Sequence, residues 1–220
     1  MYLKQFIIPF IVSICLLLEG CATSRSELKL ASVAAEPAQA PIATKGTVIL
    51  RSVKDERIFE QAPGDPSIPS LGFEGAAQAT AETKARAIGR KRNTFGMALG
   101  DVLLENGQTV EGVVRENLAA ALRQSGYQVL NANPGDPKAI LMDAHIKQFW
   151  AWFQPGFWAI TLHTKIETIL DVSNSSAPIP ISIHAEESGL AAPESAWIEI
   201  VDKALVVYRD KVKATNLEPK

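Results

Sequence analysis

The chain has 220 residues, of which 47% are hydrophobic and 21% are charged, a balance typical of a folded globular protein. Its 22 lysines and arginines against 24 aspartates and glutamates give a net charge of -2, so the sequence lacks the positive excess that drives nucleic-acid binding. This composition excludes DNA and RNA as expected partners, and it argues against a wholly disordered chain or a multi-span membrane protein.

The first twenty residues have the pattern of an export signal. Lys4 gives a positive start, and residues 6–18 form an apolar stretch shorter than the roughly 20 residues of a membrane-spanning helix. The sequence LEGC at 18–21 then resembles the lipobox of bacterial lipoproteins, in which the cysteine is acylated and becomes the first residue. We therefore expect residues 1–20 to be a lipoprotein signal peptide and Cys21 to carry the lipid.

Cysteine usage agrees with acylation. The sequence has two cysteines, and removal of Cys15 with the signal would leave no free thiol in an oxidising compartment. Ala22 follows the acylated residue, which by resemblance to Gram-negative lipoproteins favours the periplasmic face of the outer membrane. Residues 21–45 are rich in alanine and contain no aromatic side chain, a composition that predicts a lipidated cysteine followed by a flexible tether.

Residues 46–214 are predicted to form a single α+β domain, and residues 215–220 a short tail. The β-branched stretch 46–53 predicts a first strand. Residues 58–108 are then expected to be a long irregular insertion with one weak helix, because prolines interrupt the start and no period dominates the remainder.

Two helices are predicted more firmly. Thr109 can cap a helix that Gly126 ends, and its apolar residues recur at the helical period of 3.6. Pro193 opens a last helix, which runs to about residue 212 with a second apolar stripe. The two stripes comprise Val110, Val113, Val114, Leu118, Ala121 and Leu122 in the first helix, and Trp197, Val201, Leu205 and Tyr208 in the second.

Between these helices, apolar and polar residues alternate over 141–153, 157–172 and 180–186, and residues 127–130 form a shorter strand. In the first two of these strands, a register with Trp152 opposite Trp158 keeps apolar side chains on one face. The sequence therefore predicts a two-layer sandwich, in which a mostly antiparallel sheet packs two helices on one face. The other face would be wet, or covered by the insertion or a partner.

This register divides the aromatic hairpin between the two faces. Trp150, Trp152 and Trp158 face the helices as core residues, whereas the outer face carries phenylalanines that are candidate contacts for a partner or a lipid. The basic run within the insertion is a second candidate, because it can hold lipid phosphates or an anionic partner, although such runs are commonly solvated loops. The candidate contact residues are Arg90, Lys91, Arg92, Phe149, Phe153 and Phe157.

The histidines carry a weaker chemical signal. His145, His163 and His184 all fall on the predicted polar face, together with carboxylates. In the predicted register, however, His145 opposes Lys165 and His163 opposes Lys147, and a neighbouring ammonium group repels a metal ion. The sequence contains no zinc-binding or nucleophile motif of known spacing. We therefore expect no catalytic residue, no metal and no cofactor.

The lipobox, the alanine-rich tether, the sequence VKDER at 53–57 and the helix ending at Gly126 and Tyr127 together resemble the YajG-type family of uncharacterised bacterial lipoproteins. The resemblance implies an envelope lipoprotein and supplies no catalytic residues. The expected function is a non-enzymatic binding or envelope-assembly accessory, anchored to the outer membrane and facing the periplasm, with an envelope protein as partner. The alternatives are a lipid-binding accessory of envelope lipid transport and a periplasmic hydrolase that uses Asp143, His145 or Glu167.

Overall fold

The computed structural model describes residues 25–33, 45–72, 75–93, 95, 97–132, 135–215 and 217. Within these residues the protein is a mixed α/β fold with eight strands in one sheet and three helices. The strands are β1 Ser26–Leu28, β2 Thr47–Asp55, β3 Ala87–Arg92, β4 Ala98–Leu104, β5 Gln128–Leu130, β6 Ile140–Pro155, β7 Ile160–Val172 and β8 Ile179–Gly189. The helices are α1 Ala81–Arg86, α2 Val110–Gln124 and α3 Glu194–Lys213.

The long strand β6 organises the sheet. One edge of β6 pairs with β7, which in turn pairs with β8, and the other edge pairs first with β2 and then with β3. Strand β2 also pairs with β5. Strand β3 also pairs with β4, and β4 pairs with β1. Among the described residues, four of these pairings are parallel and three antiparallel, so the sheet is mixed, but the long antiparallel pairings of β6 with β7 and of β7 with β8 hold most of the paired residues. Two of the parallel pairings involve strands β1 and β3, which the sequence did not predict.

Both long helices form where the periodicity placed them. The Thr109 hydroxyl accepts a hydrogen bond from the backbone N–H of Gly112 and caps α2, and Gly126 follows its end at a φ of 91° that favours glycine. Helix α2 packs against β2 and β5, α3 packs against β7 and β8, and the two helices contact each other. The predicted apolar stripes are confirmed, since all ten of their residues are buried.

The main core, here called the helix-side core, lies between these helices and the strands. It contains the apolar residues of α2 and α3 together with Val48, Met142, Phe149, Ile166 and Ile183 from the sheet. Tyr208 of this core is fully buried, and its hydroxyl lies 3.1 Å from the Thr168 hydroxyl. Burial raises the pKa of Tyr208 to about 12, so the phenol stays neutral.

A β-bulge in β6 reverses the predicted faces of the aromatic hairpin. Ile146 pairs with Thr168 and Gln148 with Glu167, so Lys147 is the extra residue. Beyond it Trp152 pairs with His163, not with Trp158 as predicted. Because one inserted residue shifts the alternation by one position, the phenylalanines of β6 turn towards the helices and the tryptophans turn away.

The tryptophans form a second core on the opposite side of the sheet, here called the tryptophan-side core: Leu71, Ala87, Leu103, Trp150 and Trp152. Residues 58–72 cover it, with Phe59 packed edge-to-face on Trp150 and the indole N–H of Trp150 donating to the Pro66 carbonyl. The one helix expected within the insertion over 58–108 is present as α1, but the expectation of irregular structure is wrong for the second half of the insertion, which forms β3 and β4. Its first half covers the face that the sequence left open.

The first described residues also differ from the expectation of a flexible tether. Strand β1 pairs in parallel with β4 at the edge of the sheet, and Leu28 and Leu30 are buried in the helix-side core. The tether prediction is wrong for this segment, because two leucines spaced for one face of a strand suffice to dock it without any aromatic residue.

Arg57 joins three elements at the end of β2. Its guanidinium is fully buried and forms a two-nitrogen ion pair with Asp55, at 2.8 and 2.7 Å. It also donates to the carbonyl oxygens of Lys84, Ala87 and Phe149. The conspicuous charged sequence at 53–57 therefore contains a structural arginine.

Candidate functional site

Three chain connections meet at one end of the sheet. Strands β3 and β6 run parallel, with Gly89 beside Ala151, so the β3–β4 connection and the β6–β7 loop project from the same end. Ile160 of β7 pairs with Gly189 of β8, which brings residue 190 to that end as well. The topology thus gathers segments that are far apart in sequence.

Large apolar side chains at this end lie exposed to solvent. Phe157 and Trp158 occupy the β6–β7 loop, and their rings contact each other edge-to-face with centroids 4.6 Å apart. A cluster of such residues at one end of a molecule is typical of a binding surface rather than of ordinary solvated surface. We call this surface the apolar tip; its residues, between 64% and 92% exposed, are Phe95, Met97, Phe157, Trp158 and Leu190.

The tip retains one of the three predicted phenylalanine contacts. Phe157 is exposed, but Phe149 and Phe153 are buried in the helix-side core, so the expectation that they face a partner or lipid is wrong. The bulge at Lys147 is the physical reason, because it turns both residues to the opposite face. Trp158 was expected in the core and is instead exposed, since it lies in the loop rather than in β7.

The predicted basic loop is strand β3. Burial lowers the pKa of both Arg90 and Arg92, whose side chains reach across to residues 58–72. Arg90 lies 3.5 Å from the Ser70 hydroxyl, and Arg92 donates to the Pro63 carbonyl at 3.3 Å. Lys91, between them, is partly exposed. Arg90 and Arg92 thus hold the covering segment against the sheet, and lipid or partner contact by Arg90, Lys91 and Arg92 stays a prediction.

The edge strand β1 starts on the side of the apolar tip. Ser26 pairs with Val102, and β1 runs parallel to β4, which leads away from the tip. Before it, Arg25 forms an ion pair of 3.2 Å with the fully buried carboxylate of Asp101, which also accepts the backbone N–H of Gly72. This buried carboxylate fixes where the chain enters the sheet. Cys21 itself lies outside the described residues.

A second cluster lies on the tryptophan side of β7 and β8, near the same end. The Nδ1 atom of His163 is 3.2 Å from the Nε2 atom of His184 and 3.6 Å from a carboxylate oxygen of Glu186. The indole ring of Trp152 stacks on both imidazoles at an interplanar angle of 16°. Burial, and after it the neighbouring His184, lowers the pKa of His163, which favours its neutral form.

Each of the residues proposed for hydrolysis is engaged with other side chains. Asp143 accepts hydrogen bonds from Ser52 and Arg51, whereas Glu167 lies beyond the bulge and pairs with Lys165 at 2.8 Å. His145 lies between two carboxylates, 2.7 Å from Glu56 and 3.2 Å from Asp171. Each predicted catalytic group therefore already has a partner of its own.

Of the apolar tip the sequence predicted Phe157 alone as a contact, whereas the members of the histidine cluster were all placed on the predicted polar face. Phe95 and Met97 gave a weak signal, since they are isolated apolar residues among turn-forming ones, and Leu190 gave none. The two histidines were predicted on the polar face, but the predicted register placed His163 opposite Lys147 instead of beside His184.

No family model and no curated protein matches this sequence. A solved structure titled "Crystal structure of uncharacterized protein" shares 10% sequence identity, over 87% of this chain and 94% of its own, with a TM-score of 0.39. In the described part of the chain, no helix is both long enough and apolar enough to span a bilayer.

Proposed function

We propose that this protein is a lipid-anchored, non-enzymatic binding accessory on the periplasmic face of the outer membrane, and that its apolar tip lies on the bilayer holding the anchor. The exposed tip is the observation that carries this proposal. The indole of Trp158 is amphipathic and favours the interface between lipid and water, and the apolar ring of Phe157 beside it can enter the acyl region. Membership of the YajG-type family is part of the same proposal.

The attachment point supports contact between the tip and the membrane. Three residues lie between Cys21 and Arg25, so their Cα atoms are about 14 Å apart at most. Arg25 lies level with Asp101, and β4 extends about 10 Å from there towards the tip. The anchor can therefore reach the level of the tip but little farther. A short link holds the domain close to the lipid surface, whereas a 24-residue tether would not.

The proposed arrangement leaves the rest of the surface to a protein partner. In the finer description that we propose for the fold, α2 and α3 form one layer and the sheet the other, with residues 58–72 covering part of the far side. The lipid-carrier alternative is less well supported. The cavity of about 340 Å³ between β1 and the insertion is lined mainly by polar or small residues such as Arg25, Gln78 and Thr83, which do not suit an acyl chain. The cleft beside the tip, lined in part by Ile160, Leu162 and Ile200, holds only about 110 Å³. Small-molecule sites typically have at least about 300 Å³.

The test uses Trp158 as a reporter, because the other three tryptophans are buried. The full chain is produced in a Gram-negative host, analysed by mass spectrometry for acylation of Cys21, and reconstituted into vesicles whose acyl chains carry bromine. We expect acylated Cys21 and quenching of the Trp158 emission by the brominated chains. The variant Phe95→Ser/Met97→Ser should lose most of this quenching while retaining the acyl groups.

Val206→Ser/Val207→Ser is the matched control, since it removes two exposed valines from α3 and should leave the quenching unchanged. An unmodified Cys21 would refute the lipid anchor. An acylated protein without quenching would refute contact between tip and membrane, and crosslinking from position 158 to a protein in cells would then identify a protein as the occupant of the tip.

A further inference from the structure

We infer that His163, His184 and Glu186 form a mononuclear site for a divalent cation that prefers nitrogen ligands, such as Zn²⁺ or Cu²⁺. The site is distinct from the apolar tip and does not depend on the lipid anchor. It rests on a juxtaposition that the pairing of β7 with β8 creates: His163 lies directly opposite Glu186, and His184 lies opposite Lys165 on the same side of the sheet.

The distances between the ligand atoms match those expected around one shared ion. Two nitrogens bound to Zn²⁺ at about 2.0–2.1 Å with a tetrahedral angle stand about 3.3 Å apart. The separation between Nδ1 of His163 and Nε2 of His184 is 3.2 Å, and the Glu186 oxygen lies 3.6 Å from the same Nδ1. Among the described residues, one ligand atom from each of His163, His184 and Glu186 lies within 4.8 Å of the other two.

The two imidazoles are already oriented. Trp152 stacks on His163 at 5.0 Å and on His184 at 5.5 Å between ring centroids, so the rings cannot turn freely away from each other. Fixed rings reduce the conformational entropy that ligand side chains lose when they bind an ion. Three protein ligands leave a fourth tetrahedral position open, as in catalytic rather than structural zinc sites.

The charges around the site tolerate a cation. Lys165 lies opposite His184 on this face, and its ammonium group forms an ion pair of 2.8 Å with Glu167. Glu186 contributes a carboxylate to the cluster itself. His163 is 7% exposed, so its imidazole is largely shielded from water. The repulsion by Lys147 that the predicted register implied does not arise, because His163 pairs with Trp152.

The inference is tested by calorimetric titration of Zn²⁺ into the full chain in detergent, purified without a histidine tag. We expect one ion per chain, and at least tenfold weaker binding in His184→Ala and in Glu186→Gln. Both residues are exposed, so these variants should unfold at nearly the native temperature. His145→Ala is the matched control, because it removes an imidazole placed between two carboxylates elsewhere on the sheet. The affinity of this variant for Zn²⁺ should equal that of the native chain.

A second measurement uses Cu²⁺, which quenches nearby indoles. Titration with Cu²⁺ should reduce the emission of the native chain, and Trp152→Phe should remove most of that reduction. The inference is wrong if no ion binds at millimolar Zn²⁺, if His184→Ala binds as tightly as the native chain, or if His145→Ala weakens binding to the same extent. Retained acylation with no metal binding would refute this site and leave the proposed anchoring intact.

Discussion

The two sides of the sheet are stabilised in different ways. The helix-side core collects apolar residues from both long helices and from seven of the eight strands, so burial of apolar area dominates there. The tryptophan-side core has five residues and a covering segment without regular structure. Polar side chains hold that segment: the Trp150 indole, Gln148, Arg92 and the buried Asp101 all bond to backbone groups within residues 63–72. Where apolar area is small, a few hydrogen bonds decide the conformation.

Two neighbouring residues test this difference most strongly. Phe149 and Trp150 are both fully buried, but on opposite sides of the sheet. Phe149→Ala should lower the free energy of unfolding by about 3–5 kcal/mol, because it leaves a cavity among the helices and strands. Trp150→Ala should mainly release residues 58–72, since Phe59 and the Pro66 carbonyl lose their partner. Urea unfolding measures the first effect, and amide hydrogen exchange locates the second.

The proposed difference between the two cores is wrong if Phe149→Ala and Trp150→Ala accelerate amide hydrogen exchange in the same residues. Equal acceleration over α2, α3 and residues 58–72 in Trp150→Ala would mean that the covering segment unfolds together with the main core rather than separately.

A second pair of variants separates buried from exposed ion pairs at β2. Arg57→Met should cost about 3 kcal/mol, because it leaves the Asp55 carboxylate unpaired and removes the donor to three carbonyl oxygens. Arg51→Met is the control, since Arg51 is half-exposed and pairs with Asp143 at the surface, where about 1 kcal/mol or less is expected. Urea unfolding of the two variants checks the difference. Similar losses would contradict a special role for Arg57.

The helix-side fold was largely predictable because its elements are long and periodic. The stripe from Val110 to Leu122 and that from Trp197 to Tyr208 each repeat over three or more turns, and Thr109 and Gly126 mark the ends of α2. Strands β3 and β4 escaped prediction because Ala87–Arg92 and Ala98–Leu104 are short and carry glycine and charged residues. Their strand conformation depends on neighbours that are distant in the sequence.

The candidate sites were harder to predict for one specific reason. A single extra residue, Lys147, reverses the faces of the aromatic hairpin, and no sequence pattern distinguishes a bulge there from regular pairing. The reversal buries Phe149 and Phe153, and it brings Trp152 beside His163. The members of the apolar tip come from three connections, so their proximity depends on the sheet order, which periodicity does not determine.

The smallest expected effect concerns Glu56, which lies outside both cores and whose contribution to the free energy of unfolding depends on pH. Hydrogen bonds from Lys147 and, after it, from His145 lower the pKa of Glu56 from its usual 4.5 to about 2. Since the folded state holds this carboxylate ionised more strongly than the unfolded chain does, its contribution is complete above pH 4.5 and is lost as the pH falls towards 2. The difference in unfolding free energy between the native chain and Glu56→Gln should therefore narrow over that interval. Urea unfolding at pH 6, 4 and 3 measures it, and a difference that stays constant with pH would show that Glu56 stabilises the fold through packing rather than charge.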